Sequence, residues 1–331
     1  MDLDAFVAVH GAEWDRLAAL SRRRRLSGPE ADELVRLYQR AATHLSVVRS
    51  ASPDPATEAR LSRTVAVARA AVIGGPEPLG RELARFVTVS FPAAVYRTRW
   101  VAVGAALFTL VIGVAVGLWV NSDPRVLASL GTPDELRQFV EVDFEHYYSA
   151  YSAQSFAAKV WTNNAWLSAL CVATGITGVL PAYLLFTNAV NVGVAGGLMA
   201  AYGRLDLFFG LIVPHGLLEL TAVFVAAAAG LRLFWAWIDP GPLSRGRALA
   251  REGRSMITIA LGLVVVLLVS GVVEAFVTPS GLPTWARITI GALVWGTFMA
   301  YVGLLGRRAA LAGETGDLAA DLLEDAAPTA A

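Results

Sequence analysis

Over roughly the first hundred residues, apolar side chains recur every three or four positions, and beyond them they run together without interruption. Phe6, Val9, Trp14, Leu17 and Leu20 form one helical stripe, which Arg22 to Arg25 close. Leu34, Leu37, Tyr38, Ala41, Leu45 and Val48 form a second, and Leu61, Val65, Ala68 and Val72 a third. Ser27-Gly28-Pro29-Glu30 reads as a capping box before the second helix, with the Ser27 oxygen accepting a backbone N–H and Glu30 reaching back. Ser52-Pro53-Asp54-Pro55 and Gly74-Gly75-Pro76 break the chain after the second and third helices. The three stripes are expected to pack on one another as a cytosolic helical domain over residues 1–78. Residues 79–99 follow as an amphipathic helix, with Leu83, Phe86, Val87 and Phe91 flanked by Arg81, Arg85, Arg97 and Arg99, suited to the headgroup plane and bent at Pro92.

The continuous runs are long enough for membrane spans, each of which takes about 20 apolar residues. Six are expected: Trp100–Val120, Trp161–Phe186 interrupted by Pro181, a short glycine-rich run from Gly193 to Tyr202, the stretch from His215 to Trp237, Ser255–Val277, and Arg287–Gly306. Residues 205–214 read as a re-entrant or broken piece beside the fourth span. The fold class is thus all-α: a polytopic membrane bundle of about six spans over 100–308, with an external segment at 121–160 and an acidic, disordered tail at 309–331.

Charge orients these spans. Fifteen arginines precede Trp100, whereas residues 121–160 hold six acids against Arg125, Arg137 and Lys159, and Pro240–Arg254 carries four arginines. By the positive-inside rule both termini are cytoplasmic in a plasma membrane. With 56% hydrophobic residues, 16% charged residues, zero formal charge and a mean hydropathy of +0.55, the chain has the composition of a membrane protein, and lipid is its expected surroundings. Its basic residues flank spans, so no nucleic-acid partner is expected. Cys171 is the only cysteine and lies in an apolar run, which excludes an intrachain disulfide. The first 99 residues are too polar for a cleaved signal peptide, so the first span is expected to direct insertion.

Candidate chemistry centres on Pro214-His215-Gly216-Leu217-Leu218-Glu219, where an imidazole and a carboxylate stand four residues apart on one helix face inside an apolar run. With Asn163, Asn164 and Glu274 they make up the expected intramembrane polar site. Its two readings are a lock between helices and a functional site facing a cavity. Glu274, three residues before a Thr-Pro stop, is read as snorkelling to the interface, and Asp206 as a further carboxylate on the pathway reading. In the external segment Thr132-Pro133-Asp134-Glu135 is a capping box, after which Phe139, Tyr147 and Tyr151 share a face of a helix read as lying at the outer interface, with a candidate partner surface as the alternative. No His-Glu-x-x-His, Gly-x-Ser-x-Gly or phosphate-cradling glycine loop occurs, so neither an enzyme nor a cofactor site is expected. His215, Glu219 and Glu274 are chemically competent metal ligands, but one helical spacing is a weak signal and no metal is assigned. His10 and His44 read as solvated or partly packed.

Trp14, Leu37-Tyr38, Phe91-Pro92, Asn163-Asn164, His215-Gly-x-x-Glu219 and Glu274-Ala-Phe-x-x-Pro279 together resemble the stage II sporulation protein M family, from about residue 5 to 306. The resemblance implies an integral scaffold of a bacterial plasma membrane that organises cell-wall-remodelling protein partners at the cell envelope. A channel or transporter built on His215 and Glu219 is the alternative. The Ala/Arg-rich, Lys-poor composition and the long helical domain depart from the sporulation member, so the resemblance bears more on the membrane scaffold than on sporulation.

Overall fold

The computed structural model describes residues 3–23, 25–51, 54–73, 79–144 and 164–317, and among these every regular element is helical. The chain divides into two compact units, Met1–Leu83 and Ala84–Ala331.

The first unit holds α1 (Leu3–Ser21), α2 (Gly28–Ala51) and α3 (Pro55–Ile73). Their stripes meet: Trp14, Leu17, Leu20, Leu34, Leu37, Ala41, Leu45, Val48, Leu61 and Ala68 form one buried cluster, as helical periodicity requires of amphipathic helices. Val9 departs from the expectation and is 70% exposed, because it sits at the margin of the α1 stripe. Glu30 reaches back to the Ser27 N–H at 2.9 Å, but the Ser27 hydroxyl donates to the same carboxylate instead of capping a backbone N–H. Asp54 caps α3 through the N–H groups of Ala56 and Thr57, and a hydrogen bond from the Thr57 hydroxyl, together with these two, holds its carboxyl below the usual range. His10 and His44 are packed ring against ring, 4.2 Å between centroids, and Trp14 Nε1 donates to His44 Nδ1 at 3.1 Å.

The second unit is built from longer, more apolar helices. The helical stretch Leu79–Ser122 contains a π turn at Phe86–Ser90, followed by α5 (Phe91–Ser122) after the short α4 (Leu79–Arg85). Within the expected interfacial stretch over 79–99, Leu79, Leu83 and Val87 are exposed, whereas Phe91 to Val95 lie in the bundle core and Gly306 seats on the Pro92 carbonyl. Pro92 falls within this continuous helical stretch, directly after the π turn, and does not interrupt it.

After α6 (Pro124–Leu130) and α7 (Pro133–Gln138), which carries the expected Thr132/Glu135 capping box, Leu136, Val140 and Phe144 bury against Leu198, Met199, Phe208 and Leu211. The next described element is α8 (Asn164–Ala173). Here the expected second span, Trp161–Phe186, is corrected: the chain turns through a 3₁₀ turn at Gly175–Thr177 and a left-handed Gly178 (φ 66°) before α9 (Val179–Ala201) begins. Gly175 lies against the backbone of Gly230, and Gly178 against the Phe234 ring, so the turn is set by contacts that admit no side chain. Pro181 falls in the first turn of α9, where it is tolerated.

The expected re-entrant piece at 205–214 is also corrected, because it is the first third of one helix, α10 (Leu205–Ile238), with Pro214 inside. The helices α11 (Arg245–Phe276) and α12 (Thr284–Tyr301) complete the bundle, and α13 (Arg307–Leu311) follows a π turn at Val302–Gly306. Five stretches are long and apolar enough to cross a membrane, and α8 is a shorter apolar helix. α10 is the central element: 67% of its most apolar stretch is buried, against 11% for α5. Gly113 and Gly117 of α5 meet Gly193 and Gly197 of α9, with a Cβ added at Gly197 lying 2.5 Å from the Gly117 carbonyl. This four-residue spacing of glycines on both helices lets the backbones touch, which supplies the dispersion contact that drives helix association in lipid.

Residues 309–317, expected to open a disordered tail, are instead ordered. The Thr315 carbonyl accepts from Arg97 and Ser255, the Gly316 carbonyl from Thr258, and Asp317 receives Arg254 Nε at 2.7 Å. Residues 318–331 lie outside the described residues.

Candidate functional site

Helical periodicity alone puts His215 and Glu219 on one face of α10, and His215 lies about 15 Å along that helix from its start. What that face meets is decided by packing. α11 presents Ser270 and Glu274, also four residues apart, and the turn after it presents Thr278. His215 Nε2 lies 3.5 Å from Glu274 Oε1, and His215 Nδ1 lies 3.2 Å from Thr278 Oγ1. Ser270 donates to the His215 backbone carbonyl at 3.1 Å. Asn164, at the start of α8, hydrogen-bonds the Glu219 side chain. Arg287 of α12 donates to the Thr278 carbonyl at 2.7 Å, which fixes the turn that carries the threonine.

The cluster is sealed: His215, Glu219, Glu274 and Thr278 are all buried, Glu274 at 1% exposure. Snorkelling of Glu274 is thus corrected, because its place on α11 turns it toward α10 and not toward the interface. Ligand-capable atoms of His215, Glu219 and Glu274 lie within 4.8 Å of one another. If both carboxylates were ionised at that separation their repulsion would be about 3–4 kcal/mol at an effective dielectric of about 20. No Lys or Arg pairs with either one among the described residues, and Glu274 Oε2 is buried without a hydrogen-bond partner. An arrangement this incomplete is costly in a low-dielectric interior unless a proton or a cation completes it.

Of the residues expected at this site, the structure brings together His215, Glu219, Glu274 and Asn164, whereas Asn163 lies outside the described residues. Asp206 stands exposed in the first turn of α10, away from the cluster, where an acid complements the helix dipole. Of the expected partner surface, Phe139 is half-buried, with its ring 5.9 Å from Phe144, and Tyr147 and Tyr151 lie outside the described residues. Sequence reasoning missed Thr278 and Ser270. Each had the same signal, a spacing of four residues from Glu274, and for Thr278 it was masked by its reading as part of a stop.

A second polar centre lies at the other end of α10, and it too was missed. Arg232 donates to both carboxylate oxygens of Glu252 at 3.0 and 3.1 Å and to the Arg97 carbonyl at 2.7 Å, and Arg97 Nη2 lies 3.6 Å from Glu252. Glu252 is the lone acid among the arginines of 240–254, a position that invites a pairing search. An apolar groove of 640 Å³ opens between α5, α9 and α10, lined by Gly113, Gly117, Gly196, Phe208 and Phe224 among others, and none of the cluster residues lines it.

Fold and site define a multi-pass helical membrane protein with a sealed polar centre. Residues 105–279 match the family model described as Stage II sporulation protein M, and the chain belongs to that family. Residues 4–74 match a second model, described as Domain of unknown function (DUF8413). Among curated proteins the chain is similar to the uncharacterized protein MJ0793 of Methanocaldococcus jannaschii, 27% identical over 124 residues that cover 37% of this chain and 70% of that protein. No solved structure matches.

Proposed function

We propose that this protein is an integral membrane scaffold that assembles envelope proteins, among them cell-wall-remodelling partners, in a bacterial plasma membrane with both termini cytoplasmic. The observation that carries the reading is the uneven burial of the bundle. α10 is mostly enclosed, while the apolar stretches of α5 and of Thr284–Leu311 are each only 11% buried and present whole apolar faces outward. Such faces take lipid or the helices of other proteins, and the glycine ridges already in the bundle are the same chemistry by which helices associate in membranes. Family membership supports the reading.

Photo-crosslinkers at Leu107, Val111 and Leu118 of α5 and at Leu293 and Leu304, all exposed, test it in the native organism. Discrete adducts with envelope proteins at a subset of sites are expected. Crosslinks to lipid alone at every site would overturn the scaffold. The second reading, an ion or proton pathway, draws on the His215/Glu219/Glu274 cluster, which a lock alone does not require to hold two carboxylates. Under it Glu219→Gln folds normally yet abolishes pH-driven flux in proteoliposomes, and equal flux in parent and variant refutes it.

A further inference from the structure

We propose that His215, Glu219 and Glu274 bind a divalent transition-metal ion, zinc by donor type, at the centre of the bundle, with the Asn164 amide N–H donating to the Glu219 carboxylate from outside the ligand set. Four observations converge. The ligand-capable atoms of the three residues come from two helices that contact each other along their length, and all lie within 4.8 Å of one another. In a tetrahedral site with bonds of about 2.0–2.2 Å, ligand atoms stand about 3.3–3.6 Å apart. His215 Nε2 and Glu274 Oε1 already stand at 3.5 Å, so only the Glu219 oxygen has to draw in.

The charge balance points the same way. With both carboxylates ionised beside a neutral imidazole the cluster carries two negative charges, no arginine or lysine pairs with either carboxylate among the described residues, and one divalent cation neutralises them. Glu274 Oε2 is buried and lacks a hydrogen-bond partner, which an ion accepting carboxylate lone pairs supplies. Finally, Thr278 Oγ1 lies against His215 Nδ1. In the tautomer whose Nδ1–H donates to that oxygen, the Nε2 lone pair is free to bind an ion beside Glu274, which is the outer-shell orientation that metal-bound histidines use. Donor chemistry of one nitrogen and two or three oxygens suits zinc or manganese more than calcium, which takes six to eight oxygens.

The inference is independent of the scaffold reading, because metal content is read on the purified protein and partner recovery in cells. The test uses the full chain, tag-free and in detergent, prepared without chelator. Metal analysis of the parent after incubation with Zn²⁺ and desalting is expected to give about one ion per chain. Glu274→Gln, Glu219→Gln and His215→Gln are each expected to lose it while eluting as folded protein. His44→Gln serves as a control, since His10, Glu13 and His44 form a second group of possible ligands. Thr278→Val is expected to retain the ion with affinity reduced about 10–100-fold, as for other outer-shell partners.

Because glutamine variants can fail to fold, chelator-stripped parent is also reloaded with Co²⁺, whose visible bands for a four-coordinate N/O site are expected and report ligand geometry without mutation. A parent that holds no zinc and yields no such bands overturns the proposal. So does zinc retained by all three cluster variants, or lost only in His44→Gln.

Discussion

Removing the Glu252 carboxylate isolates how much the inner polar centre contributes to the fold. Glu252 is 8% exposed and takes three hydrogen bonds of 3.0–3.1 Å from Arg232, with Arg97 at 3.6 Å. At an effective dielectric of about 20 a unit pair about 4 Å apart is worth about 4 kcal/mol. The arginine side chains retain 24–25% exposure and Arg232 keeps its bond to the Arg97 carbonyl, so solvent recovers part of the loss. Glu252→Gln is therefore expected to destabilise the bundle by about 2–3 kcal/mol, within the range for breaking a buried pair. Arg232→Met and the double variant complete a cycle, read by reversible unfolding in mixed micelles. A coupling energy of about 1.5 kcal/mol or more is expected, well above that of the solvent-exposed pair Arg16–Glu33. Equal coupling at the two pairs would refute the reasoning, because it would mean that burial does not strengthen the clasp.

Gly197→Leu inserts a side chain where a Cβ already lies 2.5 Å from the Gly117 carbonyl, so α5 and α9 must part, and folded, detergent-extractable protein is expected to fall sharply; size-exclusion recovery like the parent's would contradict that packing. Burial first, then the neighbouring His10, holds His44 below its ordinary value near 6.5, so the unfolded state binds more protons there and stability falls as pH drops below about 6.5. Glu30, Glu33 and Asp54 have lowered values and contribute stability above their unfolded range, which is lost only below about pH 4.5. Hydrogen exchange over residues 3–73, corrected for intrinsic rates, checks this: His44→Gln should remove the loss near pH 6 and leave the acid loss, and an unchanged profile counts against it. Reporter fusions after Asp143 and Gly281 should read outside, and after Arg247 and Ala312 inside; an external Arg247 fusion would reverse the orientation.

The local features were legible because they depend on near neighbours. The helical period alone aligned Trp14 with Leu17 and His215 with Glu219, run length marked the membrane helices, and Thr132/Glu135 announced its own cap. An apolar run, however, does not say where one helix ends and the next begins, since lipid accepts any apolar position equally. The turn at Gly175–Gly178 exists because Gly230 and Phe234 of α10 press on it, and the unbroken start of α10 was hidden behind Pro214. Likewise nothing in the sequence near Glu274 shows that it meets His215, or that Glu252 meets Arg232, because those pairs are fixed by the register of one helix against another. The sequence by itself determined the helices and their apolar faces, whose causes are local. The partners of the polar groups were decided only by tertiary packing, in which a buried charge goes to whatever donor or acceptor close-packed helices bring within about 3 Å.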